Sequence, residues 1–306
     1  MGTNSVSSSA AGAVRGISTA SSARQVVADY LELTKPKVQS LLLFTTVTTM
    51  EIAGSPSVSL IALTCLGGYL SAGGAGAVNH CLDRDIDARM GRTASRPIPA
   101  GRVTPRAALI YGLTLAALSF VLLSLTVNLL AASLALGGFV GYVGVYTMWL
   151  KRRTPQNIVI GGAAGAIPPL VGWAATRGSL SWTAIYLFAI VFYWTPPHFW
   201  ALSLLMKDEY AKVGVPMMPV VRGEQETRRQ ILLYTLLLYA ISQLPFCAGA
   251  FGGLYLVGSI ALGCAFICGS VLLYRRADRR SALRLYLFSL LYLALLFGVM
   301  VADVKL

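Results

Sequence analysis

Acidic residues are scarce in this chain, which has 12 of them among 306 residues, and charged residues of both signs make up only 12%. Hydrophobic residues account for 56%, which argues against a soluble domain with a single core. Histidine occurs twice, and the five cysteines form no C-x-x-C pair, which argues against zinc or disulfide chemistry. These shortages indicate a membrane protein in which each acidic cluster is a functional candidate.

Long apolar runs divide the chain into nine segments, each sufficient for a bilayer span of about 20 residues. The runs lie near residues 39–56, 58–80, 107–127, 129–149, 157–176, 181–205, 231–251, 253–273 and 283–302. We therefore expect an all-α membrane protein with nine transmembrane helices.

Basic residues indicate the orientation, because cytoplasmic loops of membrane proteins collect Lys and Arg. With a cytoplasmic N-terminus and an outside C-terminus, the inner segments hold 23 of the 25 basic residues, leaving Arg177 and Lys305 outside. The charges are dispersed among short loops, so we expect no nucleic-acid partner.

Residues 1–28 are rich in Ser, Ala and Gly and contain no acid, so we expect a disordered tail before a single domain over 29–306. An organellar transit peptide is the alternative. The segment from Asp29 to Lys37 is predicted to be amphipathic and to lie at the cytoplasmic interface.

A carboxylate cluster directly follows the second apolar run. Asn79, Asp83 and Asp87 are spaced four apart, which places them along one face of a helix. Carboxylate and amide oxygens suit Mg²⁺, which proteins usually hold with one or two carboxylates and the phosphates of a substrate. Asp85 points to the opposite face, where we expect it to pair with Arg84 or Arg89.

A second acidic cluster, Lys207-Asp208-Glu209, follows the sixth run. The two longest loops, both predicted to be cytoplasmic, together contain seven of the twelve acids. If the second and sixth helices end near one another, the two clusters can bind two metal ions that bridge one diphosphate. A solvated loop remains the alternative for the second cluster.

The motif Asn79-x-x-x-Asp83-x-x-x-Asp87 resembles the first aspartate motif of the UbiA-type intramembrane prenyltransferases. Similarity covers about residues 29–300, and two further segments resemble the branch of this family that farnesylates heme: Arg92-Thr93 with Arg96-Pro97, and Thr195-Pro196-Pro197-His198-Phe199-Trp200. The family's second motif has aspartates four apart, whereas Lys212 follows Asp208 here. Glu209 is therefore expected to supply the missing carboxylate.

The resemblance implies a UbiA-type helical bundle and an Mg²⁺-dependent enzyme. The implied reaction transfers a farnesyl group from farnesyl diphosphate to a vinyl group of heme B, with addition of water, to form heme O. The lipid bilayer and a heme A synthase are the implied partners. A bacterial plasma membrane is the expected location, with the mitochondrial inner membrane as the alternative.

Site roles follow from the motif positions. The expected Mg²⁺ ligands are Asn79, Asp83, Asp87, Asp208 and Glu209. The expected diphosphate contacts are Arg92, Arg96, Lys151, Arg152, Lys207 and Arg222, and Tyr146 and Trp200 are expected to line the apolar substrate pocket. His198 is expected to contact heme iron or to handle a proton near the vinyl group; the alternative is a hydrogen bond to backbone that Pro196 and Pro197 free. His80 is assigned no role.

Two other functions fit parts of the pattern. A UbiA-type transferase with an aromatic or lipid acceptor would share the metal site. A heme transporter is the less favoured alternative, because Pro168-Pro169 and Pro196-Pro197 in consecutive spans resemble helices broken around a midplane site.

Overall fold

The computed structural model describes residues 23–306, and all regular secondary structure in that part of the chain is helical. The helices are α1 Ala23–Leu33, α2 Pro36–Ala53, α3 Val58–Leu82, α4 Arg84–Arg89, α5 Pro105–Thr126, α6 Leu129–Val140, α7 Asn157–Gly165, α8 Ile167–Arg177, α9 Trp182–Leu205, α10 Lys207–Lys212, α11 Met218–Val221, α12 Gly223–Cys247, α13 Gly253–Arg276 and α14 Arg279–Lys305. A π-helix, Gly141–Leu150, continues α6.

Each of the nine predicted runs is helical, and seven helical segments of the described chain are long and apolar enough to cross a membrane. These are Val58–Leu82, Pro105–Thr126, Leu129–Leu150, Asn157–Arg177, Gly223–Cys247, Gly253–Arg276 and Arg279–Lys305. Helices α2 and α9 cover the other two runs and are not among the seven. The protein is therefore an all-helical membrane protein with seven candidate spans, and the count of nine stays a prediction.

Side-chain caps set the starts of several long helices. Ser57, Thr104 and Asn128 each accept a hydrogen bond from the backbone N–H three residues later, at the starts of α3, α5 and α6. These bonds satisfy donors that a helix leaves unpaired at its first turn. The segments that precede these three helices therefore end at defined residues.

Glycines bring α3 and α5 into backbone contact. A Cβ atom at Gly74 would lie 2.5 Å from the carbonyl oxygen of Gly112, and one at Gly112 would lie 2.7 Å from that of Gly74. Small residues permit such close packing between membrane helices. The end of α3 is therefore held against a rigid neighbour.

The bundle closes by contact between its first and last long helices. Helix α14 packs against α2, α9 and α13, and the main buried cluster of apolar side chains includes residues of all four. At the chain's end, Lys305 forms an ion pair of 2.9 Å with Glu51 and donates to the backbone oxygen of Gly54 at 3.1 Å.

The N-terminal prediction is corrected in one respect. Helix α1 begins at Ala23, so residues 23–28, which were predicted to be part of a disordered tail, are helical; the rest of the predicted tail, 1–22, lies outside the described residues. The helix ends at Leu33, and Lys35 has a φ of 55°, so the segment Asp29–Lys37 is divided between α1 and α2. Its place at the cytoplasmic interface stays a prediction. The turn precedes Pro36, which disfavours helical backbone in the residue before it.

The prediction that Pro196 and Pro197 interrupt the sixth run is wrong, because α9 continues through both residues to Leu205. The fifth run is divided instead. Helices α7 and α8 meet at Ala166, so Pro168 lies in the first turn of α8, where a missing backbone N–H costs no helical hydrogen bond.

Candidate functional site

The candidate site begins where α3 ends. Asp83 terminates α3 and precedes α4, so Asn79 and Asp87 lie on two successive helices and not on the single helix face predicted. Backbone hydrogen bonds still link residues four apart. The Asp83 N–H donates to the backbone oxygen of Asn79 at 2.9 Å, and the Asp87 N–H donates to the backbone oxygen of Asp83 at 2.8 Å. All three side chains are buried.

Asn79 is the centre of a polar network. Its Nδ2 donates to Asp83 Oδ2 at 2.7 Å and to Thr147 Oγ1 at 3.1 Å, while its Oδ1 accepts from Lys35 Nζ at 2.5 Å. Both ends of the amide are therefore used in holding neighbouring side chains. The predicted role of Asn79 as a metal ligand requires that Lys35 move away from Oδ1.

The π-helix aligns the next contributors. At its end the Lys151 N–H donates to the backbone oxygen of Tyr146, five residues earlier, at 2.9 Å. The Thr147 side-chain hydroxyl donates to the backbone oxygen of Tyr142 at 2.9 Å. The Tyr142 and Tyr146 rings stack with centroids 5.4 Å apart. A wider turn places these side chains on one face, which is a recurrent use of π-helical segments at functional sites. From this face Lys151 Nζ donates to Asp83 Oδ2.

The loop after α4 neutralises the second carboxylate. Arg96 Nη1 contacts both oxygens of Asp87, at 2.8 and 2.7 Å. Thr93 Oγ1 donates to the Asp87 backbone oxygen at 2.9 Å, so it keeps the loop folded over α4. Arg92 is exposed and forms no hydrogen bond or ion pair with another described residue.

The partner expected for Asp85 is corrected. Neither Arg84 nor Arg89 forms an ion pair with the Asp85 carboxylate. Instead, two nitrogens of Arg152 donate to the two Asp85 oxygens, at 2.8 and 2.7 Å. This hydrogen-bonded pair lowers the pKa of Asp85 to about 2 and raises that of Arg152. The guanidinium that was predicted to bind diphosphate is thus held by Asp85, although it also lies 3.7 Å from Asp83 Oδ1.

The second acidic cluster lies beside the first. Glu209 Oε2 accepts from the Gly91 N–H at 3.0 Å, and Oε1 accepts from Lys212 at 3.0 Å, two contacts that lower the pKa of Glu209. With both oxygens engaged, Glu209 joins the two loops, which does not favour its predicted role as a metal ligand. Asp208 is exposed and forms no hydrogen bond or ion pair within residues 23–306, so its carboxylate is available.

Two of the predicted diphosphate contacts form no ion pair with Asp83, Asp87 or Asp208. Lys207 pairs with Glu224 at 3.0 Å. Arg222 lines a separate surface cavity of about 410 Å³ together with Gln225, Glu226, Arg229 and Tyr274. The positions of the basic residues in the sequence therefore do not show which of them contact Asp83.

The chemistry of the buried carboxylates fits a divalent cation. Asp83 Oδ1 is buried and accepts no hydrogen bond from any residue that the structure describes. No group of three His, Cys, Asp or Glu side chains able to hold a metal ion occurs in residues 23–306. A pair of carboxylates that depends on substrate phosphates for its remaining ligands is what Mg²⁺ commonly uses. A surface cavity of about 480 Å³ is lined by Arg84, Asp85, Thr147 and Arg152, and Asp83 is not part of its lining.

The aromatic candidates separate into two groups. Tyr146 lies in the π-helix, where its ring stacks on Tyr142, and its role in lining an apolar substrate pocket stays a prediction. Trp200 is fully buried and packs edge-on against Tyr234, with centroids 5.2 Å apart, so its surroundings are those of a core residue and not of an open pocket.

His198 is buried in α9, where its Nδ1 lies 2.7 Å from Ser289 Oγ.

Sequence reasoning missed Lys35 and Thr147, which both contact Asn79. It also assigned no role to His80, a buried residue whose two ring nitrogens have no partner among the described residues. Lys35 carried one available signal, since it is a basic residue directly before the proline that starts α2. Thr147 belongs to the segment Tyr146-Thr147, which resembles the same branch of the family, but it was assigned no role, since a threonine in a membrane helix commonly bonds only its own backbone.

Comparison with known proteins bears on the family of the chain. Residues 41–296 match the model of the UbiA prenyltransferase family. The chain is 55% identical over 293 residues to a protoheme IX farnesyltransferase of Chloroflexus aurantiacus, which covers 95% of this chain and 50% of that relative. It is also 55% identical over 284 residues to a protoheme IX farnesyltransferase of Symbiobacterium thermophilum, covering 92% of this chain and 95% of the relative. The chain thus spans about half the length of some relatives it matches, including the one from Chloroflexus aurantiacus.

Solved structures show the same fold at low identity. A structure described as digeranylgeranylglyceryl phosphate synthase superposes with a TM-score of 0.76 at 20% identity, over 92% of this chain and 99% of that one. A UbiA homologue from Archaeoglobus fulgidus bound to DMAPP and Mg²⁺ gives a TM-score of 0.62 at 16% identity, over 89% of this chain and 99% of that one. From its sequence and its fold together, the chain belongs to the UbiA prenyltransferase family.

Proposed function

We propose that this chain transfers the farnesyl group of farnesyl diphosphate to a vinyl group of heme B, with addition of water, to form heme O. The substrates are inferred from the relatives named protoheme IX farnesyltransferase, at 55% identity. The observation that carries the proposal is the buried pair of carboxylates, Asp83 and Asp87, each neutralised by a basic side chain from a different segment. Such a site suits a bound anion of high charge that arrives with its own metal ion.

The carboxylates and the basic residues have complementary tasks in this proposal. Asp83, Asp87 and Asp208 would hold Mg²⁺, and Asn79 would join them after releasing Lys35. A bound Mg²⁺ would neutralise charge on the departing diphosphate oxygens. Lys151 and Arg96, which neutralise the carboxylates in the substrate-free protein, would then turn to the diphosphate. Diphosphate binding thus exchanges one set of ion pairs for another without leaving a buried charge unpaired.

The proposed reaction breaks one C–O bond of farnesyl diphosphate and forms one C–C bond to the vinyl group. The allylic C–O bond breaks, and its electron pair leaves with the diphosphate. The vinyl group supplies the electrons of the new C–C bond, after which water adds to the cation on the acceptor and releases a proton. The stacked rings of Tyr142 and Tyr146, next to Lys151, would exclude water from the allylic cation until the acceptor reacts.

The proposal includes a membrane arrangement. Residues 29–306 form one catalytic domain with nine transmembrane helices, a cytoplasmic N-terminus and an outside C-terminus in a bacterial plasma membrane. The distribution of 23 of 25 basic residues supports this orientation. A heme A synthase is the proposed recipient of the product.

Asp83→Ala and Asp87→Ala test the assignment. Each should reduce heme O formation by at least 100-fold, about 2.7 kcal/mol of transition-state stabilisation, because diphosphate charge is no longer neutralised. The assay is mass spectrometry of heme extracted from cells that lack their own heme O synthesis and express each variant. Asp85→Asn is the matched control. Asp85 lies two residues from both Asp83 and Asp87, but its side chain is exposed and pairs with Arg152. Near-normal heme O from either alanine variant would refute the site.

The acceptor needs a separate measurement. Purified chain with farnesyl diphosphate and Mg²⁺ should prenylate heme B and leave 4-hydroxybenzoate unmodified. Prenylation of the aromatic acid would support the alternative transferase. Heme movement across liposomes without consumption of prenyl diphosphate would support a transporter.

A further inference from the structure

His198 is held as the middle layer of a three-ring stack. The Trp194 ring lies on one side with centroids 4.3 Å apart and an interplanar angle of 19°, and the Tyr286 ring lies 4.9 Å away at 28°. Both faces of the imidazole are therefore covered. The Phe199 ring also packs against the imidazole, with centroids 5.1 Å apart at 88°, so a ligand can approach this histidine only at the part of its edge that remains uncovered.

Ser289 determines which nitrogen of His198 carries the proton. The Ser289 hydroxyl donates its single hydrogen to the Tyr286 backbone oxygen at 2.6 Å. The contact of 2.7 Å between Ser289 Oγ and His198 Nδ1 must then have Nδ1–H as its donor. The neutral ring consequently has its lone pair on Nε2.

The Nε2 edge differs from the buried edges of the other histidine. Both nitrogens of His80 are sealed from solvent and lack partners, whereas His198 Nε2 is not among the sealed atoms, and it bonds to no residue in the described part of the chain. The Nε2 lone pair is therefore without a partner among residues 23–306 and is not fully buried. Ser289 itself is fully buried, and its backbone oxygen accepts from Trp194 Nε1 at 2.7 Å, which joins α9 to α14 at this point.

We propose that Ser289 is a positioning residue that holds His198 with its Nε2 lone pair directed at the iron of the heme acceptor. The inference rests on the proposed function, which supplies heme as the substrate. Histidines that bind metals commonly donate their other N–H to an oxygen acceptor, which sets the tautomer and the ring orientation. Here that acceptor is a hydroxyl whose own hydrogen is committed elsewhere, so the arrangement permits one tautomer.

Titration of ferric heme B into the purified full chain in nanodiscs tests the proposal by absorption spectroscopy. The unmodified chain should show the spectrum of an imidazole-ligated heme, and His198→Ala should lose it. Ser289→Ala should weaken heme binding by about 10-fold or more, the usual effect of losing such a hydrogen bond to a metal-bound histidine. Ser203→Ala is the control, since Ser203 is also buried and donates to a backbone oxygen three residues earlier, without contacting the imidazole. Its heme spectrum and affinity should be unchanged.

An isosteric pair separates the hydrogen bond from packing. Ser289→Thr retains the hydroxyl and Ser289→Val replaces it with a methyl group of the same shape, so only the valine variant should lose heme affinity. Equal affinity in both variants would overturn the role of Ser289. An unchanged heme spectrum in His198→Ala would overturn the iron contact. If the unmodified chain forms heme O normally, neither of these two results contradicts the proposed function. If the unmodified chain forms no heme O, the proposed function itself is refuted.

Discussion

Replacing Lys151 with methionine removes the ammonium that neutralises Asp83. The Asp83 carboxylate is 2% exposed, and after the change its Oδ2 keeps only the hydrogen bond from Asn79, while Arg152 remains 3.7 Å from Oδ1. Removing one partner of a buried ion pair costs about 3–5 kcal/mol. Because Arg152 still supplies part of the opposing charge, we expect a loss near the lower limit, about 3 kcal/mol in the free energy of unfolding.

Three measurements of the unfolding free energy, made in one detergent, check the cause of that loss. Asp83→Asn introduced into Lys151→Met should restore stability, because no buried charge is then left unpaired. Mg²⁺ alone should stabilise Lys151→Met more than the unmodified chain, since no ammonium occupies Asp83; at 100 times its Kd a ligand contributes about 2.7 kcal/mol. Arg153→Met, an exposed neighbour without an ion pair among the described residues, should change stability by less than about 0.5 kcal/mol. The reasoning is refuted if the double variant is less stable than Lys151→Met, or if Mg²⁺ stabilises both chains equally.

Two further predictions concern packing and pH. Gly74→Ala should destabilise the protein by about 1–3 kcal/mol in thermal denaturation, because its Cβ would lie 2.5 Å from a backbone oxygen of α5. Gly298→Ala, whose Cβ has nothing within 4 Å, should not destabilise it, and an equal loss in both would contradict this explanation. Burial, reinforced by Arg96 and Lys151, lowers the pKa of Lys35 from 10.5 to about 7. Between these values the unfolded chain binds more protons, so the unfolding free energy should rise with pH from about 7 to 10.5 and rise less in Lys35→Met. Identical pH dependence in both chains would show that Lys35 is not responsible.

The apolar runs allowed the helices to be predicted closely. Each of the nine intervals is helical, and the cap residues Ser57 and Thr104 lie just before two of them. Continuous apolar character is sufficient for this because backbone groups in lipid must bond within their own segment. Helix interruptions were harder to predict, since Pro196 and Pro197 are accommodated within α9 whereas the chain divides at Ala166. A proline in a membrane helix is tolerated where neighbouring groups satisfy the freed backbone oxygens, and sequence does not show those neighbours.

The roles assigned to the site residues stay predictions, and the structure bears only on which of these residues lie close together. Asp83 and Asp87 are buried together with basic residues, and Glu209 joins the second loop to the first, so the expected meeting of the two clusters has structural support. The partners were less predictable. Asp85 pairs with Arg152, 67 positions away, and not with a neighbouring arginine. Local spacing favours pairs within one helix turn, whereas packing between α4 and the segment after the π-helix decides the actual partner.

The amino-acid sequence by itself determined the membrane environment, the positions of the helices and the spacing of Asn79, Asp83 and Asp87, because these depend on hydropathy and helical periodicity over short distances. Tertiary structure alone decided that Lys35 and Lys151, 44 and 68 positions from their partners, converge on Asn79 and Asp83, and that Ser289 bonds to His198. The physical reason is that a buried charge or amide requires a partner. Which side chain becomes that partner depends on how the helices pack and on a π-helical turn that the local sequence does not predict.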